Sequence, residues 1–287
     1  MDRHDTRQLS QTQRREISVS IDHDKIAGIL REAAAEEILP LWQNLQDHQI
    51  EQKSPGDMVT AADRACEERL AKALPALLPG SRLLGEESVH RDNSLMKLLD
   101  SPDPVWVVDP LDGTGNFAAG EGPIAVMACL IRQGQTLGAW ILDPVEDTLL
   151  HAEIGAGAQL DSTPLSLASF TGEMNEIRGA LATGYLPEHL KPRAISGAKS
   201  LGPTRASGCA GYDYRALVRG DYQFVFYYRT LIWDHAPGVL IASEAGAHTG
   251  RYNDSEYKPT DKLSGLICAA DANIWATVRD LLVPSEI

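Results

Sequence analysis

Positive charge is scarce. The chain carries 26 Lys and Arg against 40 Asp and Glu, a formal net charge of −14 over 287 residues. A surface of that sign repels nucleic acid and anionic membrane, so neither is expected as a partner. Cysteine is scarce too: Cys66, Cys129, Cys209 and Cys268 are spread along the chain with no CxxC pair. No zinc-site or disulfide pattern arises, and the four read as small buried hydrophobes in a reducing, cytoplasmic setting. Long apolar runs are missing. The longest, such as Ile124–Ile131, are strand-length, well short of the roughly 20 residues a spanning helix needs. Met1–Glu16 holds no apolar stretch, so it is not expected to act as a secretory signal. Repeats and low-complexity linkers are absent as well.

What is present is an ordinary globular composition, 43% hydrophobic and 23% charged, which excludes disorder, collagen and coiled coil as the main class. A chain of this length buries roughly 70–75% of its unfolded surface, enough for one large core or two fused ones. Residues 1–20 read as a loose polar arm. Ile26, Ile29, Leu30, Ala33, Ala34, Ile38, Leu41 and Leu45 form one apolar stripe on a long helix, which Pro40 kinks or ends. Thr60 is a good cap for a helix over Ala62–Leu77, stopped by Pro79-Gly80. Strands are expected at Arg82–Leu84 and at Val105–Val108, whose unbroken apolar character fits burial on both faces. Ile124–Arg132, Leu137–Leu142 and Thr148–Glu153 read as a meander turning at Gln133-Gly134 and Asp143-Pro144. Then strands (Ala180–Thr183, Tyr222–Tyr227, Leu266–Ala269) alternate with helices (Gly211–Val218, His235–Ala245, Ala272–Leu282), as in an α/β segment. The pattern makes a layered sandwich with an α+β half over 21–155 and an α/β half over 156–287, packed as one unit.

The strongest local feature is Asp109-Pro110-Leu111-Asp112-Gly113-Thr114. A buried strand delivers Asp109 at its end. Pro110 fixes one backbone angle and removes a donor, which favours a tight turn that brings Asp112 back beside Asp109. The Leu111 carbonyl can point the same way. Oxygen ligands grouped like this suit a hard cation, Mg²⁺ above all. Gly113 and Thr114 add backbone N–H groups that can hold an anion. The plainer alternative is an Asp-rich turn between strand and helix. Three further acidic sites weigh against it. Gly85-Glu86-Glu87 follows a strand, where paired carboxylates are costly without a cation, unless the turn is simply solvated. Asp57-x-Val59-Thr60-x-x-Asp63 starts a helix, where Asp also serves as a cap. Trp233-Asp234-His235-Ala236-Pro237-Gly238 places an Asp before an apolar helix, again a capping position.

Together these stretches resemble the inositol monophosphatase superfamily, the metal-dependent, lithium-sensitive phosphomonoesterases. The matching pieces are Asp57–Asp63, Gly85-Glu86-Glu87, Trp106–Phe117 and Trp233-Asp234-x-Ala236-Pro237-Gly238, in the family's order. The resemblance implies the αβαβα sandwich of the inositol monophosphatase and fructose-bisphosphatase type. It implies that Glu86, Asp109 and the Leu111 carbonyl hold one Mg²⁺, that Asp109, Asp112 and Asp234 hold a second, and that Glu86 helps hold a third, weaker ion. Thr114, hydrogen-bonded to Asp63, would orient the attacking water together with Glu86. Gly113 and Thr114 would offer N–H groups to the phosphate, and Asp57 and Glu87 would support the ligands from behind. A homodimer is the family's common state.

Charge arithmetic agrees. Glu86, Asp109, Asp112 and Asp234 carry four negative charges; two Mg²⁺ neutralise them, and a third leaves about +2 to meet a phosphate dianion. An acidic protein can thereby take an anionic substrate, with metals clamping the phosphate and activating water. An aspartyl-phosphate route is disfavoured, because each Asp of the motif is needed as a ligand.

Other residues carry less. His235 is expected to be a hydrogen-bonded helix residue rather than a base. Arg205–Ala210 resembles the family's helix start whose backbone, here at Ala210, touches substrate hydroxyls, and Cys209 stands where Thr is common and is expected to be inert. Inositol-specific members carry a Glu where this chain has Tyr227, so inositol monophosphate, the first substrate guess, is not expected to be sharply preferred. A nucleotide 3′-phosphatase, a sugar bisphosphatase and a histidinol-phosphate phosphatase are alternatives, and a non-catalytic regulatory or metal-binding relative is another. Arg229 either meets a second phosphate or carboxylate of the substrate or makes a surface or interface ion pair.

Overall fold

Burial in the computed structural model sorts the apolar residues into three separate clusters, and these clusters define the layers. The structure describes residues 21–54 and 57–284, with the backbone alone at residues 47, 53, 54 and 57. The arm expected over residues 1–20 lies outside the described residues, as does the side chain of Asp57.

Asp22 accepts a hydrogen bond from the Lys25 N–H and starts α1 (His23–Ala33), which buries Ile26, Leu30 and Ala33. The helix then widens into a π-turn over Ala34–Ile38, with the Leu39 N–H reaching the Ala34 carbonyl at 2.9 Å. Pro40 supplies no N–H to continue the ladder, so the expected stripe ends as helix there and runs on through turns. A short hairpin of β1 (Ile50–Ser54) and β2 (Asp57–Thr60) follows. Thr60 caps α2 (Ala61–Leu77), with Asp63 reaching back to its N–H.

The larger sheet contains β3 (Arg82–Gly85), β4 (Val105–Asp112), β5 (Ala125–Arg132), β6 (Gln135–Asp143), β7 (Thr148–Glu153), β8 (Gly157–Leu160) and β9 (Thr163–Leu165), side by side in that order. Only β3 and β4 are parallel; the rest is the expected meander. The β5–β6 turn has Gln133 and Gly134 at φ 51° and 75°, the two positive angles a tight hairpin turn needs. The sheet runs past residue 155 to Leu165, two short strands beyond the meander read from the sequence.

The smaller sheet has the order β10 (Gly179–Leu181), β11 (Phe224–Tyr227), β13 (Leu266–Ala269), β12 (His248–Gly250). Its helices are α5 (Lys191–Ala198), α6 (Ala210–Val218), α7 (Ile232–Glu244) and α8 (Ala272–Leu282), while α3 (Glu86–Arg91) and α4 (Thr114–Ala119) are short pieces at the ends of β3 and β4.

Alternation along β4 shows the layering. Trp106 and Val108 face one cluster, with Leu30 of α1 and Leu70 and Leu74 of α2. Val105 and Val107 face another, with Tyr214 of α6, Ile241 of α7, and Val225 and Cys268 of the smaller sheet. The far side of that sheet, Phe224, Phe226 and Ile267, packs on Val278 and Leu282 of α8. The order is helix, sheet, helix, sheet, helix: the expected αβαβα sandwich.

Candidate metal and phosphate site

Four acidic stretches separated in sequence meet at one end of the larger sheet. Asp109 pairs with Met127 and Asp112 with Ala125, so three steps on β4 span two on β5. One residue is therefore extra. In a regular strand residues three apart face opposite sides; the bulge lets both carboxylates serve one site. The tight turn expected at Pro110 is thus a bulge within the strand, which pairs as far as Asp112. The Leu111 N–H donates to Asp109 Oδ1 at 3.0 Å and holds that carboxylate in place.

Gly113 ends the strand at φ 86° and caps α4. A Cβ there would lie 2.8 Å from the Pro123 carbonyl oxygen, so the position needs glycine for both its angle and its space. Thr114 follows, its hydroxyl 3.0 Å from Asp63 Oδ1 and 2.9 Å from the Leu111 carbonyl. Asp63 accepts from the Thr60 N–H at 2.8 Å and its hydroxyl at 2.5 Å. It is therefore both the cap of α2 and the partner of Thr114; the two readings are compatible. Burial pushes its carboxyl up to about 6.

Glu86 opens α3 directly after β3. Asp234 lies in the first turn of α7, whose cap is Leu231, so it is not the capping residue the sequence suggested. Glu86, Asp109 and Asp234 each bring a carboxylate oxygen within 4.8 Å of the others. Asp112 adjoins them, its Oδ2 accepting from the Gly211 N–H at 2.6 Å and from the Cys209 thiol at 3.1 Å. Burial and the facing carboxylates push Asp109 and Asp234 far above the carboxylate range, and Asp112 to about 6. Among the described residues no Lys or Arg forms an ion pair with Asp109, Asp112 or Asp234. All-oxygen donors, mutually repelling and buried or half-buried, fit a hard divalent cation.

Several supports carried no sequence signal. Glu67 accepts from the Glu87 N–H at 2.7 Å and the Ser88 N–H at 2.8 Å, which fixes the first turn of α3 and hence Glu86. Glu87 is buried beside it. Asn116 donates to the carbonyls of Pro123 and Ser207 at 2.8 and 3.1 Å and ties α4 to the loop before α6. The sequence pointed to Ala210 at that helix start, where it is buried; the neighbouring Gly211 N–H makes the contact to Asp112. A Cβ on Gly211 would sit 2.7 Å from the Ala125 methyl.

Tyr227 donates to Asp213 Oδ2 at 2.8 Å and is buried. Asp213, raised to about 7 by burial, also accepts from the Ser207 N–H. His235 is buried, its Nε2 3.1 Å from the Arg229 carbonyl and its Nδ1 3.1 Å from the Tyr214 hydroxyl. The carbonyl can only accept, so Nε2 carries the proton and Nδ1 accepts. Burial lowers the ring to about 3, so it stays neutral as a helix residue. Cys209 is buried and its thiol is pushed well up, which makes it inert as a nucleophile. Arg229 makes no ion pair among the described residues; its guanidinium lies over the Tyr185 ring, 3.5 Å from the centroid.

Comparison with known proteins finds relatives over most of the chain. The inositol-1-monophosphatase of Rhizobium meliloti (strain 1021) is 30% identical over 250 residues, covering 84% of this chain and 90% of that one. The Nus factor SuhB of Xylella fastidiosa (strain Temecula1) is 29% identical over 252 residues, 84% of this chain and 87% of its own. The crystal structure of the extragenic suppressor protein SuhB from Bartonella henselae superposes with a TM-score of 0.78 at 24% identity, over 92% of this chain and 98% of that one. The model of the inositol monophosphatase family matches residues 22–282, a span that contains every acidic residue gathered at the site, and this chain belongs to that family.

Proposed function

We propose that the protein hydrolyses small phosphate monoesters with the help of Mg²⁺. The observation that carries this is the meeting of Glu86, Asp109 and Asp234 from three elements, with Asp112 alongside. Glu86, Asp109 and the Leu111 carbonyl would hold one ion; Asp109, Asp112 and Asp234 would hold a second; Glu86 would contribute to a third. When bound, Mg²⁺ supplies the positive charge that offsets these carboxylates and polarises phosphate and water.

The chain's own groups do the rest. Thr114, held by Asp63, points its hydroxyl oxygen at the water and sets its line of approach. Burial raises the Asp63 carboxyl to about 6 in the metal-free protein, and Mg²⁺ bound nearby would favour the charged form that accepts from Thr114. The Gly113 and Thr114 N–H groups receive phosphate oxygens. Tyr227 gives its hydroxyl to Asp213 and offers no carboxylate to a polyol, so inositol monophosphate is one substrate among several. Phosphate release from a panel of monoesters in Mg²⁺ and in EDTA tests the reading, with Asp109→Asn expected to lose more activity than Glu87→Gln. Lithium inhibits beyond a matched sodium control if the Asp109, Asp112 and Asp234 site takes it.

A second reading, a regulatory role without catalysis, draws on the SuhB relatives, which are called Nus factors. Absence of Mg²⁺-dependent release across the panel would favour it.

A further inference from the structure

Tyr185 and Arg229 sit at the same edge of the smaller sheet for a topological reason. Strands β10 and β11 are its one described parallel pair, with Leu181 beside Phe226. Both chains therefore leave the sheet at the same end, the end where ligands bind in parallel sheets. Tyr185 follows β10, and Arg229 follows β11 on the way to Asp234.

The segment around Arg229 is pinned at three consecutive residues, at the carbonyls of two and the side chain of the third. The Gly265 N–H donates to the Tyr228 carbonyl at 2.9 Å. His235 Nε2 donates to the Arg229 carbonyl at 3.1 Å. Buried Arg251 donates to Thr230 Oγ1 at 3.0 Å and to the Gly265 carbonyl at 3.3 Å. The Arg229 side chain is half-buried and the stacked Tyr185 ring is 51% exposed. Arg251 spends its charge on Asp261; among the described residues Arg229 has no carboxylate partner. A guanidinium held over a ring by its central carbon leaves N–H groups at its edge free for an oxyanion. Its charge reaches Asp234, where it favours the ionised form.

We propose that Arg229, held on Tyr185, is a specificity determinant that receives a second anionic group of the substrate, a carboxylate or phosphate set apart from the phosphate that is cleaved. This rests on the phosphatase reading of the adjoining carboxylates. The substrate class is then a phosphate monoester with a further oxyanion a few bonds away. Fixing both ring and backbone beforehand lowers the ordering cost of that contact.

The test compares three compounds on one carbon skeleton: glycerol 3-phosphate, 3-phosphoglycerate, which adds a carboxylate, and 2,3-bisphosphoglycerate, which adds a phosphate as well. The ratio of kcat/KM for each compound with an added oxyanion to that for glycerol 3-phosphate is the readout. Arg229→Ala should lower it roughly 10–100-fold, the range of a charged hydrogen bond. Tyr185→Ala should lower it less, and Tyr185→Phe should restore it, since the ring face remains. A fall for 2,3-bisphosphoglycerate alone identifies a phosphate as the preferred oxyanion, and a fall for both compounds a carboxylate. An unchanged ratio in Arg229→Ala, or an equal loss on all three compounds, would overturn the proposal. Binding is read separately in a Thr114→Ala background, as the rise in melting temperature that 3-phosphoglycerate gives over glycerol 3-phosphate in Mg²⁺. Loss of that extra rise in Arg229→Ala supports the Arg229 site even if no compound is hydrolysed, in which case the phosphatase reading alone fails. Persistence of the rise in Arg229→Ala overturns the site.

Discussion

Asp213 is a buried acid whose ionisation costs the fold energy. Its carboxyl rises from 3.8 to about 7 through burial, against the opposing hydrogen bonds from Tyr227 and Ser207. The folded state therefore binds the proton more tightly than the unfolded one. This contribution is fully present below about pH 4, is lost as pH rises to about 7, and is flat above. Asp213→Asn should remove that decline, because an amide keeps an acceptor for Ser207 and has no charge to bury. In EDTA, which leaves no cation to add its field, urea midpoints of wild type and variant should agree near pH 4. The variant should be more stable by on the order of 2–4 kcal/mol at pH 8. Parallel pH profiles would contradict this. Gly113→Ala, with its Cβ driven toward the Pro123 carbonyl at φ 86°, should cost at least about 1–3 kcal/mol in urea unfolding; no change would show that the bulge has room. At this scale the sequence displayed the acidic residues of the candidate site but not the groups that hold them. Asp112 and Gly211 stand 99 positions apart, and Asn116 and Ser207 stand 91 apart. No local pattern announces such pairs.

The short helix α3 is held by one distant side chain. Glu67, on α2, takes the Glu87 and Ser88 N–H groups and the Ser88 hydroxyl. A first helical turn has no internal acceptors for those donors. Glu67→Ala should cost about 1.5–3 kcal/mol, the range for a hydrogen bond to a charged group. It should also raise the Mg²⁺ concentration needed for half-maximal phosphate release, since Glu86 is carried by the same turn. Loss of stability with unchanged Mg²⁺ demand would leave Glu67 a purely structural cap. Elements with strong periodicity were legible: Thr148–Glu153, Leu266–Ala269 and Ala272–Leu282 fall where the pattern puts them. Several elements of three to six residues without an apolar run of their own were not. α3, α4, β8, β9 and β12 are too short for a period to register, and tertiary contacts decide them. The motif's Pro110 pointed to a turn, but pairing with β5 held the chain in a bulged strand.

Across the whole molecule the five layers follow from which residues are apolar on both faces. β4 and β5 lie between two clusters, so their sequences read as unbroken apolar runs, and α7 is apolar nearly all round because it is sandwiched between sheets. That is why the layered sandwich could be read before the structure, while the end of the first sheet could not. The same layering gathers Asp63, Glu86, Asp109, Asp112 and Asp234 from α2, α3, β4 and α7 at one edge. A chain of net charge −14 thus concentrates further negative charge at the site proposed to take an anionic phosphate, and on that reading bound cations reconcile the two. The most direct measurement is inorganic phosphate release from a panel of small monoesters by wild type and Asp109→Asn, each in Mg²⁺ and in EDTA. The account predicts release by wild type in Mg²⁺ alone and a loss of about 3–4 kcal/mol of transition-state stabilisation, 10²–10³-fold or more, in Asp109→Asn. Equal release by the two proteins, or wild-type release undiminished in EDTA, would contradict it.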